Sequence, residues 1–89
     1  MTSRPPLRVA IAEDSALLRR GPVRLLSAAG GGAVAAVGDA EGLLEAVARQ
    51  EPDLAIIDVR MPPTHTDEGI VAACRIRERH PGTTVLVLS

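Results

Sequence analysis

The chain predicts an α/β fold, a parallel sheet with helices on both faces. Four short apolar runs, at residues 7–12, 33–37, 54–58 and 84–88, alternate with longer segments whose apolar residues recur at helical spacing. The runs are near-continuously apolar, the pattern of strands covered on both faces. Short connections between them complete a βαβαβαβ order, which implies right-handed crossovers within one sheet.

Residues 7–12 form the first apolar run and stop abruptly at Glu13 and Asp14, a strand meeting a polar edge. Ser15 can cap a helix carrying Leu17, Leu18, Val23, Leu25 and Leu26, which Gly30, Gly31 and Gly32 end. Pro22 falls inside that helix, where it removes the bond to the Leu18 carbonyl at a cost of about 3 kcal/mol. Either the helix kinks or a second short helix begins at Pro22; the maintained apolar spacing favours one kinked helix. Residues 33–37 are a weaker, Ala-rich strand. Asp39 is a plausible N-cap for a second helix, with Ala40, Leu43, Leu44, Val47 and Ala48 on one face, and Pro52 closes that unit. Residues 54–58 follow as the third strand. Residues 61–68 read as a loop, and 69–80 as a third helix with Ile70, Ala73, Cys74 and Ile76 inward. Pro81 and Gly82 stop it before the fourth strand.

Eighty-nine residues bound the chain to one small domain. Residues 1–6, with Pro5 and Pro6, read as a disordered leader, and 7–89 as the domain. The composition, 46% hydrophobic and 24% charged, is that of a globular chain. With no Phe, Tyr or Trp, the core must be built from aliphatic side chains, and stacking of a ligand on aromatic rings is excluded. The net charge of −1 makes no electrostatic case for gripping nucleic acid. Arg19, Arg20 and Arg24, like Arg75, Arg77 and Arg79, read as solvated helix faces. A single Cys74 cannot form an internal disulfide, which fits a reducing compartment, and its setting predicts a small buried hydrophobe. The apolar runs are too short to span a bilayer, and no signal-peptide pattern opens the chain, so a cytoplasmic protein is expected.

Three acids stand at the carboxyl ends of predicted strands: Glu13 and Asp14 after the first, Asp58 after the third. Ligands of open parallel sheets bind outside those ends, where the strand order reverses. Crowded carboxylates repel one another, and a hard divalent cation relieves that repulsion. Mg²⁺ takes one or two carboxylates together with waters and phosphate oxygens, so the cluster predicts a Mg²⁺ site open to a phosphoryl group. Asp58 is the candidate nucleophile, since carboxylate attack on phosphorus is established chemistry. The Arg60 backbone carbonyl could be a neutral ligand, and the Ser89 hydroxyl could meet a phosphoryl oxygen. Singly, each has a plainer reading: acid pairs cap helices and lone strand-end Asp residues make turns. At successive edges of one sheet, the functional reading overtakes it.

The blocks 9–15 (VAIAEDS), 53–62 (DLAIIDVRMP) and 85–89 (VLVLS) resemble, in order and spacing, the three signatures of receiver domains, the phosphorylated domains of two-component response regulators. The resemblance covers essentially everything after residue 6. It implies the flavodoxin-like strand order 2-1-3-4, with Asp58 accepting a phosphoryl group from a histidine kinase. It further implies that Asp14 binds Mg²⁺ directly and Glu13 through water, with the Arg60 carbonyl as another ligand and Ser89 as the hydroxyl switch residue. The loop 61–69 (MPPTHTDEG) is similar to that of regulators with LuxR-type helix-turn-helix DNA-binding output. His65 reads as a loop residue, and His80 as favouring a helix dipole.

Family members continue through a helix, a fifth strand and a last helix, so the chain reads as a receiver truncated after the fourth strand. The family's site lysine and aromatic switch residue would lie in that continuation, and the sequence contains no Lys. Three expectations follow from this reading. Residues 85–88 become an exposed apolar edge, the chain self-associates, and DNA is reached only through an output domain outside it. A terminal α-carboxylate at Ser89 would add negative charge near the phosphoryl position and impair phosphorylation. Two other readings fit parts of the pattern. A phosphatase of haloacid-dehalogenase type would need an Asp where Arg60 stands. A phosphorylation-impaired receiver fragment acting as a dimerisation or interaction module is the alternative: the truncation supports it, and the intact Glu13, Asp14 and Asp58 argue against it.

Overall fold

The computed structural model describes residues 7–59, 61, 62, 64 and 67–88. The leader residues, and Arg60, His65 and Ser89 among those discussed above, lie outside the described residues. The elements run β1 (Arg8–Ala12), α1 (Ala16–Ala28), β2 (Gly32–Val37), α2 (Ala40–Gln50), β3 (Leu54–Asp58), α3 (Glu68–Arg79) and β4 (Thr84–Leu88). The sheet is parallel throughout, in the order β2-β1-β3-β4. The expected flavodoxin-like arrangement is what the chain forms.

Local chemistry explains the helix limits. The Ser15 hydroxyl accepts the Leu18 N–H at 3.3 Å, and the Asp39 carboxylate accepts the Gly42 N–H at 2.7 Å, each satisfying one orphan donor of a first turn. α1 runs as one helix through Pro22 and ends where Gly30 takes a φ of +86°. α2 ends on Glu51 in the left-handed region, with Pro52 fully buried behind it.

The core lies between the sheet and the paired helices α2 and α3. Ala10 and Ala12 of β1 stand beside Ala55 and Ile57 of β3 in register, under Leu43 and Val47 of α2 and Ala72, Ala73 and Ile76 of α3. Met61, expected as a loop residue, is fully buried in this cluster and ties the β3–α3 connection to the core. Two expectations for α3 are corrected: Ile70 and Cys74 are exposed, and the inward face is Gly69, Ala72, Ala73 and Ile76. These are i, i+3, i+4 and i+7 positions, and three of the four are Gly or Ala, so the helix backbone can approach the sheet closely.

On the opposite sheet face Val9 and Ile11 are buried, but α1 itself contributes no buried residue. Its Leu17 and Leu25 are each 73% exposed. β4 is the outer strand among the described residues, and Leu86, Val87 and Leu88 are exposed, as an apolar edge predicts.

Candidate functional site at the carboxyl edge of the sheet

The chain leaves β1 toward β2 on one side and returns to β3 on the other, so the order reverses between β1 and β3. The carboxyl ends of those two strands form the crevice in which open α/β sheets bind ligands. Ala12 pairs with Ile57, so Glu13 leaves β1 at the level where Asp58 ends β3. Asp58 in turn pairs with Leu88, the last residue of β4. All three acids picked out from the sequence are thus brought to one sheet edge: Glu13 and Asp58 half-buried, Asp14 exposed.

The backbone around these acids is tied down at several points. Beyond the strand ends, the Glu13 N–H donates to the Val37 carbonyl at 3.0 Å and the Val59 N–H to the Leu88 carbonyl at 2.9 Å. The Ser15 N–H donates to the Glu13 carboxylate at 3.2 Å, closing the turn into α1. Arg19 is the residue that sequence reasoning missed. It is half-buried rather than on a solvated face, and its Nη1 donates to the Glu13 carbonyl at 2.7 Å and the Asp14 carbonyl at 3.4 Å. The only sequence sign was its place one turn after the acid pair.

Gly69 was also missed, having been read only as the start of a helix. It is buried, its N–H donates to the Val59 carbonyl at 3.0 Å, and a Cβ there would fall on the Asp58 carbonyl oxygen. No side chain fits between α3 and the end of β3, so Gly69 sets how closely the helix approaches Asp58. At the start of α3, the Glu68 carboxylate accepts both the Thr64 N–H and hydroxyl, each at 2.6 Å, gathering the preceding loop.

Among the described residues, no group of three or more His, Cys, Asp or Glu side chains is close enough to hold a metal ion. The donors at this edge are all hard oxygen, at most two carboxylates at once, with main-chain carbonyls nearby. That set fits Mg²⁺, which keeps several waters and needs only one or two carboxylates, and does not fit Zn²⁺. Asp53, by contrast, lies at the amino edge of the sheet, and its carboxylate accepts the Arg8 N–H at 2.9 Å. It is a structural acid.

Comparison with known proteins agrees with this geometry. Residues 9–89 match the family described as the response regulator receiver domain. The chain is 37% identical over 82 residues to the transcriptional regulatory protein PdtaR of Mycobacterium tuberculosis, covering 92% of this chain and 38% of that protein. It is 36% identical over 86 residues to the probable transcriptional regulatory protein NarL of the same species, covering 93% and 38%. The solved receiver domain of that NarL superposes with a TM-score of 0.83 at 32% identity, covering 94% of this chain and 66% of that one. The chain therefore spans well under half the length of these curated relatives. No helix among the described residues is long and apolar enough to cross a membrane.

Proposed function

This chain belongs to the response regulator receiver domain family, and from that premise we propose that it is switched by phosphorylation of Asp58. The observation that carries the reading is the register at the reversal point: Ala12 pairs with Ile57, so the Glu13–Asp14 turn and Asp58 share the carboxyl edge of β1 and β3. A carboxylate oxygen of Asp58 attacks the phosphorus of a phosphohistidine on a sensor kinase. The O–P bond forms as the P–N bond breaks, and the electron pair returns to the imidazole, which takes up a proton. Asp14 and Asp58 would hold Mg²⁺ directly, Glu13 through water, with the Arg60 carbonyl as a further ligand. Bound there, the ion would neutralise charge on the phosphoryl oxygens. Ser89 would then offer its hydroxyl to one of those oxygens. The chain works in the cytoplasm as a signalling module rather than an enzyme. Its phosphorylation controls transcription through an output domain beyond the span it shares with PdtaR and NarL, both named as transcriptional regulatory proteins.

Incubation with acetyl phosphate and Mg²⁺, read by intact-protein mass spectrometry, tests this. Slow, sub-stoichiometric labelling by a single phosphoryl group is expected on the 89-residue chain, which has no lysine to pair with that group, and none on Asp58→Asn. Undiminished labelling of the variant would refute the assignment.

A second reading is favoured by one observation: Leu86 and Leu88 are exposed on an outer strand, and α1 exposes Leu17, Leu18 and Leu25. Exposed apolar area of this kind invites association, and a second copy of the chain would cover it. Sedimentation showing a concentration-independent monomer would exclude that.

A further inference from the structure

We propose that Arg19 is a positioning residue for the metal half of the site, holding the Glu13–Asp14 turn by its carbonyls in a space that Gly38 leaves open. The inference rests on the magnesium reading above. Of the three arginines on α1, Arg20 and Arg24 are exposed, whereas Arg19 is half-buried and turned back onto β1. Its Nη1 reaches the Glu13 carbonyl at 2.7 Å and the Asp14 carbonyl at 3.4 Å, the backbone of the very residues whose carboxylates would face the ion.

The β2–α2 turn makes room for this. A Cβ on Gly38 would stand 2.9 Å from Arg19 Nη1, so the guanidinium lies directly against that glycine. One side chain thereby joins the end of β1 to the end of β2, beside the bond from the Glu13 N–H to the Val37 carbonyl.

The choice of acceptor matters. The Ser15 N–H also braces the turn, but it uses the Glu13 carboxylate, the group that a metal-bound water would require. The Arg19 clamp uses carbonyl oxygens alone and so persists when both carboxylates are engaged. Charge by itself argues the other way, because a guanidinium near a cation site opposes binding. Position and charge thus predict opposite signs when Arg19 is removed.

Magnesium titration of the 89-residue chain, followed by backbone amide shifts, separates them. The variants are Arg19→Ala, Arg19→Lys and Gly38→Ala. The last displaces the flexible end of Arg19 without removing its charge. Loss of an outer-sphere positioning contact is expected to weaken Mg²⁺ binding about tenfold in Arg19→Ala and Gly38→Ala. Arg19→Lys should be weakened too, since an ammonium keeps the charge but loses the planar fork. Unchanged or tighter binding in Arg19→Ala and Gly38→Ala overturns the proposal. So does a lowered melting temperature with unaltered affinity, the mark of a purely structural contact. Should Arg19→Ala not fold, Gly38→Ala alone decides.

Amide hydrogen exchange in the metal-free chain tests the clamp separately from the metal. Faster exchange at Glu13 and Ser15 in Gly38→Ala supports it, and exchange equal to wild type overturns it. A wild-type chain that takes up no Mg²⁺ overturns the magnesium reading and the metal-positioning role with it, whatever the exchange result says of the turn.

Discussion

Replacing Gly69 with alanine isolates how the fold holds Asp58 in place. The added Cβ would land on the Asp58 carbonyl oxygen and stand 2.7 Å from Val59 Cα and 2.9 Å from the Val59 carbonyl oxygen. All of these are backbone atoms, so no flexible side chain can move aside; either α3 lifts or the end of β3 shifts. Lifting α3 disturbs Ala72, Ala73 and Ile76 in the core, and shifting β3 breaks the bond from the Gly69 N–H to the Val59 carbonyl. Overpacking of this kind costs roughly 1–3 kcal/mol, and contact with rigid backbone places it at the upper end. The gain in helix preference from Gly to Ala returns at most about 1 kcal/mol. The net loss is about 2 kcal/mol, which for a domain of this size lowers the melting temperature by roughly 8–16 °C. Far-UV circular dichroism measures it, the chain having no aromatic residue to report by fluorescence. Gly82→Ala is the matched control: its Cβ would meet nothing within 4 Å, so its melting temperature should stay near wild type. A Gly69→Ala protein that melts with the control, and whose Asp58 and Val59 amide shifts match wild type, would refute the close-approach argument.

Three further outcomes are expected. Thr83→Val removes the buried hydroxyl that donates to the Pro52 carbonyl at 2.7 Å, and should cost roughly 1–3 kcal/mol in urea denaturation, with Thr83→Ser restoring most of it. Met61→Ala empties a fully buried site and should cost roughly 2–5 kcal/mol by the same measurement. Asp53→Asn weakens the charge-assisted bond from the Arg8 N–H and should lower stability by about 1 kcal/mol, leaving Mg²⁺ affinity and acetyl phosphate labelling as in wild type.

The legible parts of this chain are those where local and tertiary preferences agree. β3 and β4 have the expected limits, and Ser15 and Asp39 cap as their positions predicted, because strand burial and capping depend on residues adjacent in sequence. α3 was misread for a physical reason. Apolar periodicity weights large side chains, whereas this helix turns its smallest residues to the sheet and leaves Ile70, Val71 and Cys74 outside. Met61 lies in a loop, where no periodicity marks burial. At the site, the acids were legible because their charge breaks an apolar run. Arg19 and Gly69 were not, since their partners are carbonyl oxygens and backbone atoms that no residue type announces.

The two edges of the sheet divide the work between them. At the amino edge, backbone groups are answered within the chain: the Arg8 carbonyl accepts the Asp53 N–H at 2.8 Å and the Asp53 carbonyl accepts the Thr84 N–H at 2.9 Å. Side chains complete that latch, Asp53 onto Arg8 and Thr83 onto Pro52, so the acid there is spent on structure. At the carboxyl edge the ties made by Glu13, Val59, Arg19 and Gly69 all fall on main-chain atoms. Main-chain anchoring fixes where these acids stand through contacts that do not depend on their side chains, with the Ser15 N–H on the Glu13 carboxylate added to it. The carbonyl contacts beneath the acids, more than the acids themselves, distinguish this edge from a row of charged turn residues.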